Sequence, residues 1–272
     1  MEPGGVTLRL LDTFSGIGGF SLAARWLGGF ETVQFVERDP YCQRVLAKHW
    51  PNTPIHDDIC TFNPERGSAD VVVGGFPCQD ISQAGRQAGI KEGTRSGLFH
   101  ELIRVVRLVE PRYIVLENVA AILANGLDTV LGELAEAGFD SEWACVSASA
   151  VGACHRRDRW WCIAYPAHLL RNGISVGHGR QCGPGEVPES GDGDCSAPAN
   201  TSCPRSQRNR PRWTAAHRLD PNWGGYVSEP VLCRGDDGLS ARVDRLRALG
   251  NAVVPQVAMV PLARVLELEG QL

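Results

Sequence analysis

The stretch that decides the fold is Asp70-Val71-Val72-Val73-Gly74-Gly75-Phe76-Pro77-Cys78-Gln79. Its apolar run predicts a buried β-strand, and the glycines and the proline predict a sharp turn where that strand ends. In an open α/β sheet, ligands bind at the carboxyl ends of the strands. Cys78 is therefore a candidate nucleophile, although a buried structural cysteine near a turn fits the local sequence equally well.

Strand-like and helix-like segments alternate along residues 6–165. Short β-branched runs predict strands, and apolar residues at helical spacing predict helices. Such alternation implies an α/β fold with a parallel sheet and right-handed crossovers. The predicted strands are residues 6–11, 32–36, 70–73, 112–116 and 160–164, and the predicted helices are residues 20–27, 41–49, 98–109 and 127–137.

The composition changes after Pro166. From about residue 171 to residue 238 the chain is rich in Gly, Pro, Ser, Asn, Asp and Arg, a composition typical of a small irregular domain or a linker. Apolar residues return at Leu239 and predict a helix that rejoins the first domain. We therefore divide the chain into a main domain (1–165), a small irregular region (166–238) and a returning C-terminal segment (239–272).

Composition limits the compartment and the partners. Hydrophobic residues make up 43% of the 272 residues, enough for one large α/β domain. No apolar run approaches the roughly 20 residues of a membrane span, and the N-terminus lacks the pattern of a signal peptide. We therefore expect a cytoplasmic protein that does not bind membranes, with reduced thiols among its ten irregularly spaced cysteines.

The basic residues of this chain are nearly all arginine. The formal net charge is −4, which does not by itself indicate a nucleic-acid binder. Lys48 and Lys91 are the only lysines among 27 basic residues, so nearly all the positive charge is on arginine. The planar guanidinium suits phosphates and base edges, whereas the alternative interpretation is solvated surface arginine from a genome that favours Arg codons.

A glycine-rich segment, Asp12-Thr13-Phe14-Ser15-Gly16-Ile17-Gly18-Gly19, follows the first predicted strand and leads into a helix. Its glycines let the backbone approach a ligand closely, but their spacing is not the dinucleotide fingerprint. Glu37 ends the second predicted strand, where an acid can accept both ribose hydroxyls, and Asp58 could accept from an adenine amino group. Acids suit a sulfonium better than a pyrophosphate, which favours S-adenosylmethionine over NAD.

A second group of polar residues follows later strands. Glu117 ends the strand at 112–116, on the same edge as Cys78, and burial would raise its pKa so that it could donate to a base. Alternation along an extended segment would place Arg157 and Arg159 on one side, where they could bind a polar substrate edge and lower the pKa of a thiol. A salt-bridged strand entrance with Asp158 is the other interpretation.

These groups together predict a reaction on cytosine. An activated Cys78 thiolate would add to C6 of the ring, with Glu117 near N3 and Arg159 near O2. C5 would then attack a sulfonium methyl group, and loss of the C5 proton with elimination of the thiol would complete the cycle. Both ring faces must be accessible, so a duplex substrate requires base flipping.

In their order along residues 8–260, the motifs of this chain resemble those of the DNA cytosine-5 methyltransferases of bacteria and phages. The motifs are Asp12-Thr-Phe-Ser-Gly-Ile-Gly-Gly, Glu37, Asp58, Gly74-Gly-Phe-Pro-Cys-Gln-Asp-Ile-Ser, Gly97-Leu-Phe, Pro111-Arg-Tyr-Ile-Val-Leu-Glu-Asn-Val, Arg157-Asp-Arg and Arg245-Leu-Arg-Ala-Leu-Gly-Asn-Ala-Val-Val-Pro-Gln.

The resemblance implies a Rossmann-like, S-adenosylmethionine-dependent methyltransferase fold: a mostly parallel twisted sheet flanked by helices, with residues 166–238 as a target-recognition region. The catalytic residues would be Cys78, Glu117, Arg157 and Arg159. The cofactor pocket would comprise Phe14, Gly16, Gly18, Glu37, Asp58, Pro77, Leu98 and Asn251. Contacts to DNA would come from Gln79 and Ser82 in the loop that closes over the base, and from Arg205, Arg208, Arg210 and Arg212 on phosphates.

Two features depart from the family pattern. Cys154-His155 stand where the family usually has Pro-Gln, and because a cysteine keeps its N–H and a free φ, this segment would be looser. The recognition region is also short and rich in turns. Neither change touches Arg157 or Arg159, so we expect activity to survive.

The predicted partner is double-stranded DNA, methylated at a specific short sequence by a monomer that is solitary or paired with a cognate restriction endonuclease. Methylation of tRNA cytosine, DNA binding without turnover and, as the weakest rival, a dehydrogenase are the alternatives. We expect no metal, because the candidate ligands lack the paired spacing of a zinc site. Those candidates are His178, Cys182, Cys195 and Cys203.

Overall fold

The computed structural model describes residues 7–77, 97–124, 126–167 and 242–270. Several predicted site residues therefore lie outside the described residues, and so does nearly all of the region at 166–238, whose separation from the main domain stays a prediction. The site residues in question are Cys78, Gln79, Ser82, Arg205, Arg208, Arg210 and Arg212.

One sheet forms the centre of the described structure. Its seven strands are β1 (Leu8–Thr13), β2 (Phe30–Val36), β3 (Ile55–His56), β4 (Val71–Gly75), β5 (Tyr113–Val119), β6 (Phe139–Ser147) and β7 (Asp158–Pro166). They are ordered β3-β2-β1-β4-β5-β7-β6. The first five pair in parallel, whereas β7 runs antiparallel to both β5 and β6. The predicted mostly parallel sheet is confirmed.

Six α-helices accompany the sheet in the described ranges: α1 (Gly19–Leu27), α2 (Pro40–His49), α3 (Leu98–Val109), α4 (Leu127–Glu136), α5 (Arg242–Asn251) and α6 (Pro255–Leu268). The four helices predicted in the main domain are present, with ends that differ by no more than one residue. The C-terminal prediction of one helix was wrong, because α5 and α6 are separated before Pro255. A proline disfavours helical backbone in the preceding residue, and Val254 is extended.

The sequence reading missed β6. Its residues, Phe-Asp-Ser-Glu-Trp-Ala-Cys-Val-Ser, contain one β-branched residue and several polar ones, so they do not look like a buried strand. β6 forms because β7 offers it a complete antiparallel partner, from Phe139 opposite Pro166 to Ser147 opposite Asp158. Tertiary pairing here outweighs a weak local preference.

Helices cover both faces of the sheet and create two apolar clusters. On one face, α3 and α4 pack against the strands, and Phe99 and Leu102 join a cluster with Leu116 of β5. On the opposite face, α1 and α6 contribute Phe20 and Leu262 to a second cluster. The sheet is therefore the middle of three layers. Because helices cover both of its faces, a ligand could reach the sheet where its strands end.

One C-terminal segment has the length and composition of a membrane span, which the sequence reading did not identify. Arg247–Leu268 reaches a mean hydropathy of 1.4 over an 18-residue window. Core helices meet the same description, and α6 buries Val257, Leu262 and Leu266 in the cluster that covers the sheet. Its apolar surface therefore contacts protein in this structure.

A buried carboxylate positions the start of α1. Asp12 at the end of β1 is 0% exposed, and its Oδ2 accepts the Ser21 hydroxyl at 2.6 Å and the Ser21 backbone N–H at 3.3 Å. The first amides of a helix lack partners within the helix, and Gly18 at the N-cap has no side chain to supply one. Asp12 provides this cap from the strand, and burial raises its pKa to about 7.

We expect Leu262→Ala to lower the free energy of unfolding by about 2–5 kcal/mol, because it removes a fully buried side chain and leaves a cavity under α6. Leu108→Ala, at a position 39% exposed on α3, is the control and should cost about 1 kcal/mol or less. Urea denaturation of both variants measures the difference. Equal losses would contradict the docking of α6 on the sheet.

The pH dependence of stability tests the burial of Asp12. The folded pKa of about 7 is above the value of about 3.9 in an unfolded chain. Its contribution to stability is therefore fully present below the unfolded pKa and is lost as the pH rises through about 7. Asp12→Asn removes this titration while its carbonyl can still accept from Ser21. We expect the variant's stability relative to the wild type to increase from pH 5 to pH 8 in urea denaturation.

Asp70→Asn is the control for this titration. Arg9 donates to both oxygens of the Asp70 carboxylate, and the pKa of Asp70 is lowered. Both its folded and its unfolded pKa therefore lie below pH 5, and its effect on stability should be constant between pH 5 and pH 8. A constant effect of Asp12→Asn over the same range would show that Asp12 is ionised in the folded protein throughout.

Candidate active site

The chain leaves β1 through an unusual backbone conformation. Phe14, Gly16 and Gly18 have φ angles of 50°, 55° and 84°, in the left-handed region that glycine adopts at no steric cost. An added Cβ at Gly16 would meet no heavy atom within 4 Å, whereas one at Gly18 would lie 2.7 Å from the Trp50 ring. Backbone conformation therefore favours glycine at both positions, packing requires it at 18, and the space beside Gly16 is open.

Glu37, at the end of β2, holds this loop. Its Oε2 accepts the Gly16 backbone N–H at 2.7 Å, and its Oε1 accepts the Asp39 backbone N–H at 2.7 Å. Burial raises its pKa against the effect of these two hydrogen bonds. Each carboxylate oxygen can accept a second hydrogen bond. Glu37 therefore shapes the loop and still has acceptor capacity for a ligand, a double role that the sequence pattern alone did not reveal.

The other predicted cofactor residues of the main domain extend from the same edge. Asp58 lies two residues beyond β3, and its Oδ1 accepts the Cys60 backbone N–H at 3.0 Å, which lowers its pKa. Phe14 and Leu98 are partly buried and pack against the cluster beneath α3. Because β3, β2 and β1 are adjacent and parallel, Asp58, Glu37 and Phe14 follow the carboxyl ends of three neighbouring strands.

The C-terminal segment crosses this edge between α5 and α6. Asn251 is exposed at the end of α5. An added Cβ at Gly19 would lie 2.8 Å from the Val253 carbonyl oxygen, so only glycine lets the segment pass so close to the start of α1. An added Cβ at Gly75 would lie 3.9 Å from the Val253 side chain. The segment therefore reaches both the loop after β1 and the end of β4.

Gly74 and Gly75 belong to β4 rather than to the turn that the sequence predicted after Val73. An added Cβ at Gly74 would lie 2.5 Å from Thr13 Oγ1, and one at Gly75 would lie 3.0 Å from Glu117 Oε2. The glycine pair thus permits close packing against β1 and leaves room beside the Glu117 carboxylate. Pro77, partly buried, is the last described residue before Cys78.

Glu117 and Arg159 form a partly buried ion pair at the end of β5. Arg159 Nε lies 2.9 Å from Glu117 Oε1, with the side chains 22% and 13% exposed. Glu117 is opposite Trp161 and Arg159 is opposite Val119, so the two are diagonal neighbours across antiparallel strands. Burial raises the pKa of Glu117, as expected, although the nearby guanidinium groups oppose it. The ion pair joins Arg159 to Glu117 rather than to Asp158.

Arg157 differs from the sequence expectation. It has a φ of 52° and precedes the first residue of β7, Asp158, so alternation along an extended strand does not apply to it. Its Nη2 donates to the carbonyl oxygens of Gly250 at 3.0 Å and Ala252 at 2.8 Å. Burial, and next the charge of Arg159, lower its pKa. Arg157 therefore lies near the Glu117–Arg159 pair but binds the C-terminal segment.

The structure thus assembles two adjoining groups of predicted residues. Phe14, Gly16, Gly18, Glu37 and Asp58 follow β1 to β3, and Glu117, Arg157 and Arg159 meet where β5 pairs with β7. Asp12, Gly75 and Val253 belong to the motifs that resemble those of the family, but the sequence did not predict them as site residues. Within the described residues, no group of three His, Cys, Asp or Glu side chains could hold a metal.

Residues 8–183 match a family model described as C-5 cytosine-specific DNA methylase. The chain is similar to Type II methyltransferase M2.BsuMI of Bacillus subtilis, at 37% identity over 160 residues, covering 56% of this chain and 40% of that protein. It is also similar to Type II methyltransferase M.CviJI of Paramecium bursaria Chlorella virus IL3A, at 34% identity over 166 residues, covering 58% and 43%. The matched part therefore covers less than half the length of each relative.

A solved structure agrees in fold. A DNMT2 mutant from Spodoptera frugiperda has a TM-score of 0.50 and 21% sequence identity, covering 67% of this chain and 56% of that one. The family match spans well over half of the 272 residues and contains the sheet and both groups of site residues. The chain belongs to the C-5 cytosine-specific DNA methylase family.

Proposed function

We propose that this chain transfers a methyl group from S-adenosylmethionine to C5 of a flipped-out cytosine in duplex DNA, at a specific short sequence, through a covalent bond between Cys78 and C6. The observation that carries the proposal is the Glu117–Arg159 ion pair, 2.9 Å long and partly buried. Glu117 lies near the carboxyl end of β5, the strand that pairs with β4, and Cys78 follows the last residue of β4 by three positions. Membership of the family supports the same reaction.

The residues at the neighbouring strand ends fit S-adenosylmethionine. Glu37 has spare acceptor capacity for ribose hydroxyls, and Asp58 carries a partly exposed carboxylate two residues beyond β3. Phe14 offers a partly buried aromatic ring two residues before Gly16, where an added Cβ would meet no heavy atom within 4 Å. This set of acceptors suits a cationic nucleoside and would repel a pyrophosphate. When bound, the cofactor supplies an electrophilic methyl group on a sulfonium centre.

The chain's own residues would do the remaining chemistry on the cytosine. The Cys78 thiolate forms a bond to C6, and the ring electrons move toward N3 and C5. Glu117, whose pKa is raised by burial, holds a proton at N3 so that negative charge does not accumulate there. Arg159 fixes the Glu117 carboxyl group and donates to O2. After C5 has gained its methyl group, C5 loses its proton to solvent, the electrons of that C–H bond form the C5–C6 double bond again, and the C6–sulfur bond breaks, which releases the thiolate.

Two sets of residues would contact the DNA. Gln79 and Ser82 would close over the flipped base, and the arginines at 205, 208, 210 and 212 would neutralise phosphates. We also propose that the protein acts as a monomer, alone or beside a restriction endonuclease of the same sequence specificity.

Methyl transfer with a labelled cofactor tests the function directly. Mixed-sequence duplex DNA incubated with methyl-labelled S-adenosylmethionine should carry label on C5 of cytosine, and Cys78→Ser should abolish the label because the adduct with the thiolate cannot form. Cys145→Ser, which alters an exposed thiol on β6, should remain active. Label in tRNA but not in DNA would change the substrate class, and cofactor and DNA binding without label would indicate a protein that binds but does not methylate.

A second pair of variants tests the role of Glu117. Glu117→Gln should lower kcat about 10²–10⁴-fold, the usual contribution of general acid–base catalysis, with the Kd for S-adenosylmethionine changed less than twofold. Glu142→Gln is the matched control, because Glu142 pairs with Arg264 at the same 2.9 Å and is 17% exposed, but lies on β6 away from the site. Steady-state kinetics and calorimetric titration measure both effects. A kcat that falls equally in the two variants would refute a specific role.

A further inference from the structure

The guanidinium of Arg157 connects the two groups of site residues. On one side it lies near enough to Glu117 and Arg159 for their charges to shift its pKa. On the other side its Nη2 donates to the carbonyl oxygens of Gly250 and Ala252, at 3.0 and 2.8 Å. One nitrogen thus uses both of its N–H groups on the chain that joins α5 to α6.

The two carbonyl groups that Arg157 binds lie on either side of Asn251. Gly250 lies in the last turn of α5, where the carbonyls have no partners within the helix, and Ala252 follows the helix directly. A cation there also complements the helix dipole. Asn251 itself is exposed. Arg157 therefore determines where the Asn251 backbone lies while leaving its side chain accessible.

The same short segment is confined at a second point. The carbonyl of Val253 approaches the start of α1 so closely that an added Cβ at Gly19 would lie 2.8 Å from its oxygen. Gly19 directly follows the loop in which Phe14, Gly16 and Gly18 have positive φ. Arg157 on one side and the start of α1 on the other thus hold residues 250–253 against the loop after β1.

We propose that Arg157 is a positioning residue for the cofactor: by binding the Gly250 and Ala252 carbonyls, it holds Asn251 at the rim of the S-adenosylmethionine pocket, and it does not contact the cytosine. This inference rests on the function proposed above. It separates the two arginines that the sequence treated as a pair. Arg159 supports the base-binding carboxylate, and Arg157 supports the cofactor-binding segment.

The left-handed conformation of Arg157 is consistent with this division. A non-glycine residue with a φ of 52° is uncommon and persists where surrounding contacts over-determine it. The conformation occurs immediately before β7, whereas Arg159 is extended within the strand. The backbone is therefore left-handed at Arg157 and extended at Arg159. Of these two side chains, only that of Arg157 binds residues 250–252.

Binding of cofactor and exchange of backbone amides together test the proposal. For Arg157→Ala, isothermal titration with S-adenosylmethionine, and separately with S-adenosylhomocysteine, should give a Kd about tenfold higher than the wild type. Hydrogen exchange at the amides of residues 250–253 should be faster in the cofactor-free variant. Arg157→Lys retains a donor and a charge and should give intermediate values for both.

Arg112→Ala is the control, because Arg112 pairs with Glu269 just beyond α6 and thus fastens the same C-terminal region far from Asn251. It should change the Kd less than twofold. If the wild type binds and Arg157→Ala binds equally well, the positioning role is overturned and the proposed function stands. If Arg157→Ala and Arg112→Ala weaken cofactor binding equally, the effect comes from a general loosening of the C-terminal region, and the positioning role is overturned. If the wild type binds neither ligand, the proposed function fails, and the cofactor role of Arg157 fails with it.

Discussion

Two carboxylates hold the chain where β1 turns into α1, and the rest of the site depends on that turn. Asp12 caps the helix from inside the sheet through Ser21, and Glu37 binds the Gly16 amide from the end of β2. The backbone between them has positive φ at three positions, so it needs fixed partners to keep one conformation. Without these bonds there would be no defined surface beside Gly16 for a ligand to meet.

The same edge of the sheet collects residues that are distant in sequence. Because β1 to β5 are parallel, Glu37 and Asp58 follow strands on one side of β1, and Glu117 lies near the carboxyl end of a strand on the other. The reversal at β7 then brings Arg159 back against Glu117, as only an antiparallel neighbour could. The C-terminal segment closes the edge by resting on Gly19 and binding Arg157. One topology thus places the acceptors that follow β1 to β3 beside the Glu117–Arg159 ion pair.

Much of this arrangement was predictable from local patterns. Apolar periodicity located α1 to α4 and five strands, because burial of one face of each element imposes that periodicity. It failed for β6, whose polar residues are stabilised by β7, and for the end of β4, where two glycines look like a turn but permit close contacts with Thr13 and Glu117. The residue types of the site could be predicted, because they stand in motifs that resemble those of the family.

What the sequence by itself determined is the chemistry available: a thiol after β4, carboxylates after β2, β3 and β5, a glycine-rich loop and two arginines. Only the tertiary structure decided how these groups are used. Arg157 and Arg159 are identical residues two positions apart, yet one binds the Gly250 and Ala252 carbonyls and the other binds Glu117. The reason is that a side chain's partner depends on backbone φ and on strands and helices far away in sequence, which local spacing does not encode.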